Sequence, residues 1–251
     1  MLNFLRKFKG LSAPGSEEIK DTRPPRTTGK YLRYAVGEIF LVVIGILIAL
    51  SINNLNAERK QQKTEWKTIE ALKAELEANI SEITNIYQFN KKTSDTLSLF
   101  VNGELVFQNS QDKARIIRVV AGFAPFKINA PILAQELGNN NKILVRTEIT
   151  NKLRNLEFTY SSLTTNMSYL DKFWNDQFLA HMIKEGQMTS FSSGYINHLP
   201  PTPAFITLFD SPEYKNLISA QGMLLLAVVW SQQAAIDQSK DLLEYLKTLE
   251  Q

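Results

Sequence analysis

The segment YAVGEIFLVVIGILIALSINNLNAER, residues 34–59, determines how the rest of this chain of 251 residues is interpreted. Its central part, residues 39–57, has no charged residue and consists mainly of Ile, Leu, Val and Ala. Extended back to Tyr34, the apolar run reaches about 20 residues, the length at which an α-helix crosses the hydrocarbon core of a bilayer. The segment therefore predicts a transmembrane helix over residues 34–55. Its polar flanks favour this over a buried helix of a soluble protein.

The charged residues around this segment predict its orientation. Residues 1–33 carry a net charge of +5 and the whole chain +3, which leaves −2 for the remainder. Because short basic flanks stay in the cytoplasm, we expect a single-pass protein of the cytoplasmic (inner) membrane, with a cytoplasmic tail at 1–33 and a periplasmic domain at 56–251. A cleaved signal peptide is the alternative, but the basic region is too long for one, and an uncleaved signal anchor is predicted.

The basic tail accounts for the positive charge of the chain. Beside a membrane, anionic lipid is the expected partner of such a tail, and no nucleic-acid partner is predicted. Residues 1–9 place apolar and basic side chains on opposite sides of a helix, which predicts an in-plane interfacial helix. A disordered start is the alternative.

Beyond residue 58 the sequence predicts an all-α fold. Apolar residues recur at spacings of three and four, as in amphipathic helices and coiled coils. No strong breaker separates the membrane span from the first of these helices, so the two can form one helix, and Asn102-Gly103 is its expected end. We expect an elongated antiparallel bundle of three long helices. They are predicted at 58–107, 145–184 and 212–249.

The two connections between these helices are predicted to lie at opposite ends of the bundle. Residues 107–145 are expected to form the distal tip, and residues 185–211 a membrane-proximal loop. The loop offers Phe191, Tyr195, Phe205 and Phe209 to the bilayer. Two short helices are predicted in the tip, at 111–122 and 130–137. In the last long helix, Met223–Trp230 is apolar on all sides, so we expect it to be covered on more than one side.

The block KYLRYAVGEIFLVVIGILIALSINNLNAERK, residues 30–60, resembles the signature of a family of uncharacterised single-span membrane proteins of Bacteroidota. The basic start, an ELGNNNKI-like segment at 136–143 and an FDSPEYKNLI-like segment at 209–218 are also similar. Leu55 departs from the family pattern, in which Trp is expected, and Gly138 lacks a preceding Ser. The resemblance implies one membrane span and a helical exported domain. It implies no activity, because the family has no established function.

Glu38 is the chemically informative residue of the predicted span, because a carboxylate there is costly. One interpretation places Glu38 in the first helical turn, where unpaired backbone N–H groups, the helix dipole and Arg33 or Lys30 stabilise its charge. The other makes it a proton site, since subunits of ion-driven envelope complexes also combine a basic N-terminus, one span with a carboxylate and an exported domain.

Four small or polar residues, Gly37, Gly45, Ala49 and Asn53, recur at multiples of four in the span. Small residues let transmembrane helices approach closely, and an Asn adds an interhelical hydrogen bond. Together with the heptads that follow, they predict self-association or a protein partner. Ordinary span composition is the alternative.

No enzyme signature is present. The chain has no cysteine, which excludes disulfides and Cys-based sites, and it lacks the phosphate-loop, Gly-x-Ser-x-Gly and His-Glu-x-x-His motifs. His181, with Asp176 and Glu185, makes only a weak metal site, so we expect neither a metal nor a cofactor. Gln232 and Ser239 are expected to fix helix register. Phe173, Trp174 and Phe178 are expected to pack in the core, and a ligand pocket is the alternative.

The sequence therefore predicts a non-enzymatic, membrane-anchored helical protein that acts in binding, scaffolding or sensing in the cell envelope. The alternative is an accessory subunit of a proton-driven envelope complex that uses Glu38. A periplasmic hydrolase would need a convergent polar pocket that the sequence does not indicate. A ligand sensor predicts a cavity near Trp174, whereas a scaffold predicts a dry core and an exposed apolar patch at the tip.

Overall fold

Helices are the regular secondary structure of the described part of the chain. The computed structural model describes residues 28–109, 112, 116, 122–138, 143, 144, 146–197 and 202–249. The predicted interfacial helix lies outside these residues, as does most of the predicted helix 111–122. The chain divides into two compact units, Met1–Ala57 and Glu58–Gln251. The helices are α1 Thr28–Val101, α2 Pro131–Gly138, α3 Thr147–Phe173, a π-helix Trp174–Leu179, α4 Ala180–Lys184, α5 Met188–Asn197, α6 Pro203–Leu208 and α7 Pro212–Thr248.

The first helix contains the predicted span and continues into the second unit. It ends at Val101, before the predicted bound at 107 and at the Asn102-Gly103 step that was expected as a weak point or end, because Gly103 adopts φ 71°. The N–H of Gly103 donates to the carbonyl oxygen of Phe100 (3.1 Å), and that of Glu104 to Leu99 (2.9 Å). This is the Schellman arrangement, in which a left-handed glycine lets the last carbonyls of a helix find donors.

By length and composition, two described helices are apolar enough to cross a membrane. They are α1, with a mean hydropathy of 2.7 in its best window, and α7, with 1.2. Within the first unit, nearly all side chains from Leu32 to Ala57 are exposed. A third of the α7 window is buried, because α7 contributes Leu225, Val228 and Val229 to the core.

The directions of the long helices differ from the predicted alternation. Within the second unit α7 runs antiparallel to both α1 and α3, and α1 and α3 therefore run parallel to each other. The pairs between α1 and α7 are Glu77 with Lys247 (3.3 Å) and Asn90 with Gln232 (3.5 Å). Those between α3 and α7 are Lys152 with Asp241 (3.0 Å), Tyr160 with Ser239 (2.8 Å) and Asn166 with Ser231 (2.7 Å).

The connection between α1 and α3 explains this difference. Its described residues 122–133 lie back along α1, Ala124 beside Asn90 and Ile132 beside Glu75, and Arg146 then meets Glu65 at 3.4 Å. The described residues 122–133 of the predicted tip (107–145) therefore return along α1, and the prediction of a distal tip was wrong for this part. An extended chain covers about 3.3 Å per residue, so a connection of this length easily retraces a helix that rises about 1.5 Å per residue. The first residues of α3 therefore lie beside the part of α1 around Glu65, where α1 enters this unit.

Residues 185–211, predicted as a membrane-proximal loop, contain α5 and α6. Phe191, Phe205 and Phe209 are at most 6% exposed and therefore are not surfaces offered to a bilayer. They lie at the Val101 end of α1, where the rings of Phe209 and Phe100 are 4.7 Å apart. Pro203 was assigned to a loop but starts α6, whose first turn is capped by Thr202. Pro212 starts α7 as predicted, with Ser211 as its N-cap.

The core runs along the three long helices. Most of its members come from α1, α3 and α7, with α5 and α6 closing one end. In Met223–Trp230 the six inner residues are buried or half-buried, as expected of a segment covered on more than one side, whereas Met223 (76% exposed) and Trp230 (67% exposed) mark one open side. The fully buried large side chains include Ile69, Leu72, Leu76, Ile83, Leu97, Ile149, Leu153, Phe178, Phe209 and Tyr214.

Candidate functional site

A pocket of about 360 Å³ opens beside Trp174 in the second unit. Three elements build it: the return segment (residues 122–130), the end of α3 with the π-helix, and α5. Its wall is largely apolar, with two neutral polar side chains and one carboxylate. The lining residues are Gly122, Phe123, Pro125, Asp171, Trp174, Asn175, Met188, Phe191 and Ser192.

Buried amides of α1 hold the return segment in place. The carboxamide of Asn90, which is fully buried, accepts from the backbone N–H of Ala124 (2.8 Å) and donates to its carbonyl oxygen (3.3 Å). Asn79 donates to the carbonyl oxygen of Asn129 (3.0 Å). Because Ala124 stands between Phe123 and Pro125, Asn90 fixes the part of the segment that lines the pocket.

Glu75 continues this support at the start of α2. Its carboxylate accepts from the backbone N–H groups of Ile132 (2.6 Å) and Leu133 (3.2 Å), two of the donors that a helix leaves unpaired in its first turn. Burial raises the pKa of Glu75, and these two hydrogen bonds oppose that shift. α2 therefore receives its cap from α1 and not from its own flanking residue.

The π-helix Trp174–Leu179 interrupts an otherwise α-helical stretch from Thr147 to Lys184. From Ile149 to Trp174 the core-facing apolar residues are alternately four and three positions apart. Trp174, Phe178 and Met182 are instead each four positions apart. One extra residue is therefore accommodated in a wider turn. Such π-turns occur frequently at functional sites, and this one presents Trp174 to the pocket.

Aromatic rings support the pocket from beneath. The Trp174 ring stacks on Phe178 (6.0 Å, 15°) and meets the edge of Phe123 (6.3 Å, 76°). Phe178 in turn contacts Phe191 and Tyr214. These offset and edge-on arrangements are the preferred ones for aromatic pairs. The wall at Trp174 is therefore held by ring contacts with Phe123 and Phe178.

Tyr214 is a buried polar group beneath this cluster. It is 1% exposed, and its hydroxyl has no hydrogen-bond partner among the described residues. Burial raises the pKa of the Tyr214 hydroxyl, so the group is neutral at physiological pH. Its ring packs against Phe209 and Phe178, which shows that the side chain acts here as a core aromatic.

The residues proposed from sequence separate into different places. Trp174 lines the pocket and Phe178 packs under it, while Phe173 is not part of the lining. His181 and Asp176 instead line a separate shallow groove with Glu213 and Lys184. No group of three His, Asp or Glu suited to a metal occurs in the described part of the chain. His198 lies outside that part.

The two register residues of α7 are both fully buried. Gln232 accepts from Asn90, and the hydroxyls of Ser239 and Tyr160 share a hydrogen bond of 2.8 Å. These contacts join α7 to α1 and to α3 at defined heights, as expected of polar groups that set helix register. Sequence reasoning did not identify Asn90 or Glu75, because no period marks a side chain whose partner is a loop backbone.

Glu38 lies deeper in α1 than the capping interpretation requires. The helix begins at Thr28, which puts Glu38 about 15 Å along the axis from its first residue. The helix dipole and the unpaired N–H groups act only in the first turn, which contains no acidic residue. The part of the capping interpretation that rests on first-turn N–H groups and the helix dipole was therefore wrong, because the helix starts well before the apolar run. The position of Glu38 near the headgroups and its pairing with Arg33 or Lys30 stay predictions.

The small residues of the span are all exposed, and no side chain of the described residues packs against Gly37 or Gly45. A straight α-helix turns about 100° per residue, so each step of four rotates the position by about 40°. Gly37 and Asn53 are consequently about 160° apart around the helix axis. Gly45, Ala49 and Asn53 lie within an arc of about 80° around that axis. The candidate association face is thus the narrower set of the last three.

Residues 38–123 match DUF6090, a family of unknown function. The matched range covers most of α1 and ends at Phe123 in the pocket wall. No curated protein and no solved structure matches the chain. The match supports the resemblance of this chain to a family of unknown function.

Proposed function

We propose that this protein is a membrane-anchored binding protein of the cell envelope, and that the pocket at Trp174 receives a small molecule. The pocket carries the proposal, because a cavity beside Trp174 is the feature that distinguishes a sensor from a scaffold. Its volume lies within the range of about 300–1,000 Å³ common for ligand sites, and its wall is apolar with a few polar groups. The adjoining π-turn and the segment held by Asn90 give that wall a fixed shape.

The anchor in this proposal is the apolar part of α1. Residues 34–55 supply a single span, the basic residues before it favour a cytoplasmic N-terminus, and residues 56–251 then lie in the periplasm. α7 is assigned to the bundle because a large part of it is core. Fusion of a periplasm-active or cytoplasm-active reporter after Gln251 tests the topology. Activity of the cytoplasmic reporter would overturn it.

Ligand binding is tested on the full chain in nanodiscs of phosphatidylcholine. A library of small apolar and aromatic fragments is screened by the shift in thermal unfolding, followed by calorimetry of the hits. Trp174→Ala removes the central wall and should abolish binding, whereas Trp230→Ala removes an exposed Trp outside the pocket and should not. Far-ultraviolet circular dichroism verifies that both variants fold. Absence of hits, or equal binding by both variants, would refute the proposal.

A second candidate function rests on the carboxylate of Glu38 in the apolar part of α1. Since Glu38 lies beyond the first turn of the helix, the helix dipole does not stabilise its charge, and a proton site of an energised complex is one explanation for a carboxylate there. Glu38→Gln keeps size and hydrogen bonding but cannot ionise. The variant should assemble normally in native membranes and lose any proton-dependent function of the complex. Unchanged behaviour in an energised membrane assay would rule this candidate out.

Self-association through the span belongs to either function. Gly45, Ala49 and Asn53 offer close approach and one hydrogen bond to a second copy of the helix. Cross-linking of the full chain in nanodiscs or mild detergent should trap dimers or larger species, and Gly45→Leu should reduce them. A wild-type chain that stays monomeric would exclude this association.

A further inference from the structure

The polar groups at the pocket indicate what kind of ligand it takes. We propose that the ligand is a protonated amine with one ammonium group on an apolar or aromatic body. This inference rests on the proposed function, since it specifies the ligand of the same pocket. Three observations carry it: the charge of the lining, the direction of its hydrogen bonds and the nature of its apolar wall.

Asp171 is the one charged residue among the described residues that line the pocket. It lies one helical turn before Trp174, so the carboxylate and the indole share a face of the helix. The described residues form no ion pair with Asp171. A ligand carboxylate or phosphate would meet this negative charge beside an apolar wall, where like charges repel strongly.

Each of the two neutral polar side chains among the described lining residues donates a hydrogen bond to a backbone carbonyl oxygen. The amide Nδ2 of Asn175 donates to the carbonyl oxygen of Asp171 (2.8 Å), and the hydroxyl of Ser192 donates to that of Thr189 (3.2 Å). A hydroxyl has a single hydrogen, so Ser192 can only accept from a ligand. Asn175 offers a ligand its Oδ1 as an acceptor and the second N–H of its amide as a donor, so it suits either kind of ligand. The Asp171 carboxylate and the Ser192 hydroxyl therefore decide, and they favour a ligand that donates hydrogen bonds, such as an ammonium group with up to three donors.

The apolar wall fits the rest of such a molecule. Phe123, Met188 and Phe191 bury hydrocarbon, and the Trp174 indole, the best aromatic partner for a cation, lies one turn from the carboxylate. A pocket of about 360 Å³ holds a small monoamine. A second ammonium group would find no second carboxylate among the described lining residues, so polyamines are poor candidates.

The test compares three probes of similar size: 2-phenylethylamine, 2-phenylethanol and 3-phenylpropanoate. Calorimetry uses the full chain in phosphatidylcholine nanodiscs, with empty nanodiscs as the control for lipid partitioning. The amine should bind about ten-fold more tightly than the alcohol, which corresponds to about 1.4 kcal/mol, and the carboxylate should bind least.

Asp171→Asn should bring the affinity for the amine down to that for the alcohol, with the alcohol unchanged. Asp176→Asn is the matched control, because Asp176 is an exposed carboxylate outside this pocket, and it should leave all three affinities unchanged. If the alcohol binds as tightly as the amine and Trp174→Ala abolishes both, the inference fails and the proposed function stands. If the amine does not bind, the inference also fails, and the fragment screen decides on the proposed function separately.

Discussion

Replacement of Asn90 by Ala should destabilise the second unit and weaken the pocket together. Asn90 is completely buried and makes two hydrogen bonds to the backbone of Ala124 and a longer one to Gln232. A net contribution of about 1 kcal/mol per hydrogen bond, with the added cost of leaving buried partners unpaired, gives a loss of about 2–4 kcal/mol.

Asn79→Ala is the matched control for this prediction. Asn79 is also an amide of α1 and is 2% exposed, and it interacts with the Tyr160 hydroxyl, but it pairs with a single backbone group, the carbonyl oxygen of Asn129. Its loss should cost about 1–2 kcal/mol, because one backbone hydrogen bond is removed and an unpaired carbonyl oxygen is tolerated better than an unpaired N–H. The larger effect at Asn90 follows from the number of backbone groups it pairs.

The assay is urea unfolding of the full chain in nanodiscs, followed by far-ultraviolet circular dichroism, with fragment binding measured on the same samples. Asn90→Ala should lower the midpoint more than Asn79→Ala at an unchanged slope. It should also weaken fragment binding more, because Ala124 lies between two pocket residues. If both variants lose the same stability, or if binding is unaffected in Asn90→Ala, the return segment is not held as described.

Four further outcomes are expected in the same unfolding assay. Gly222→Ala should stabilise α7 by about 0.5–1 kcal/mol, since the new Cβ would lie at an ordinary contact distance of 3.7 Å from that of Leu97. Gly186→Ala should destabilise the second unit by about 1 kcal/mol, because Gly186 has φ 66°. Tyr160→Phe should cost about 1 kcal/mol by leaving the Ser239 hydroxyl unpaired; a neutral effect would contradict the hydrogen bond. The raised pKa of Glu75 means that its ionisation disfavours folding, so the wild type should lose stability relative to Glu75→Gln as the pH rises above about 4.5; a gain would reverse that assignment.

Periodicity predicted the helices better than their arrangement. The helices predicted at 130–137 and 212–249 agree closely with α2 and α7. Gly103 follows the end of α1 at the expected weak point. Such boundaries are predictable because local sequence patterns determine where helices begin and end. The relative direction of α1 and α3 depends on the path that the connecting segment takes along α1. That connection is held by Asn90, Asn79 and Glu75 through backbone groups, which carry no signal in the sequence.

The pocket was predicted only as an alternative. Trp174 was recognised as part of an aromatic stretch, but α5 was interpreted as loop because Gly and Pro residues surround it, and so Phe191 was assigned to the surface. Distant residues such as Phe123 reach the pocket through the return segment, whose course the sequence does not reveal. The sequence did contain a signal of the π-turn. After Trp174 the core-facing apolar residues are four positions apart twice in succession, where the preceding pattern would place one of them after three.

The π-turn makes residues 174–179 a place where the length of the chain can change without disturbing the helix on either side. If one exposed residue such as Asp176 were deleted, Trp174 and Phe178 would be three apart, and the alternation of four and three would continue from Ile149 to Met182 without a break. An ordinary α-helix would then satisfy the packing of both halves. We therefore expect the bundle to fold without the extra residue, and the wider turn to matter chiefly for the pocket wall at Trp174.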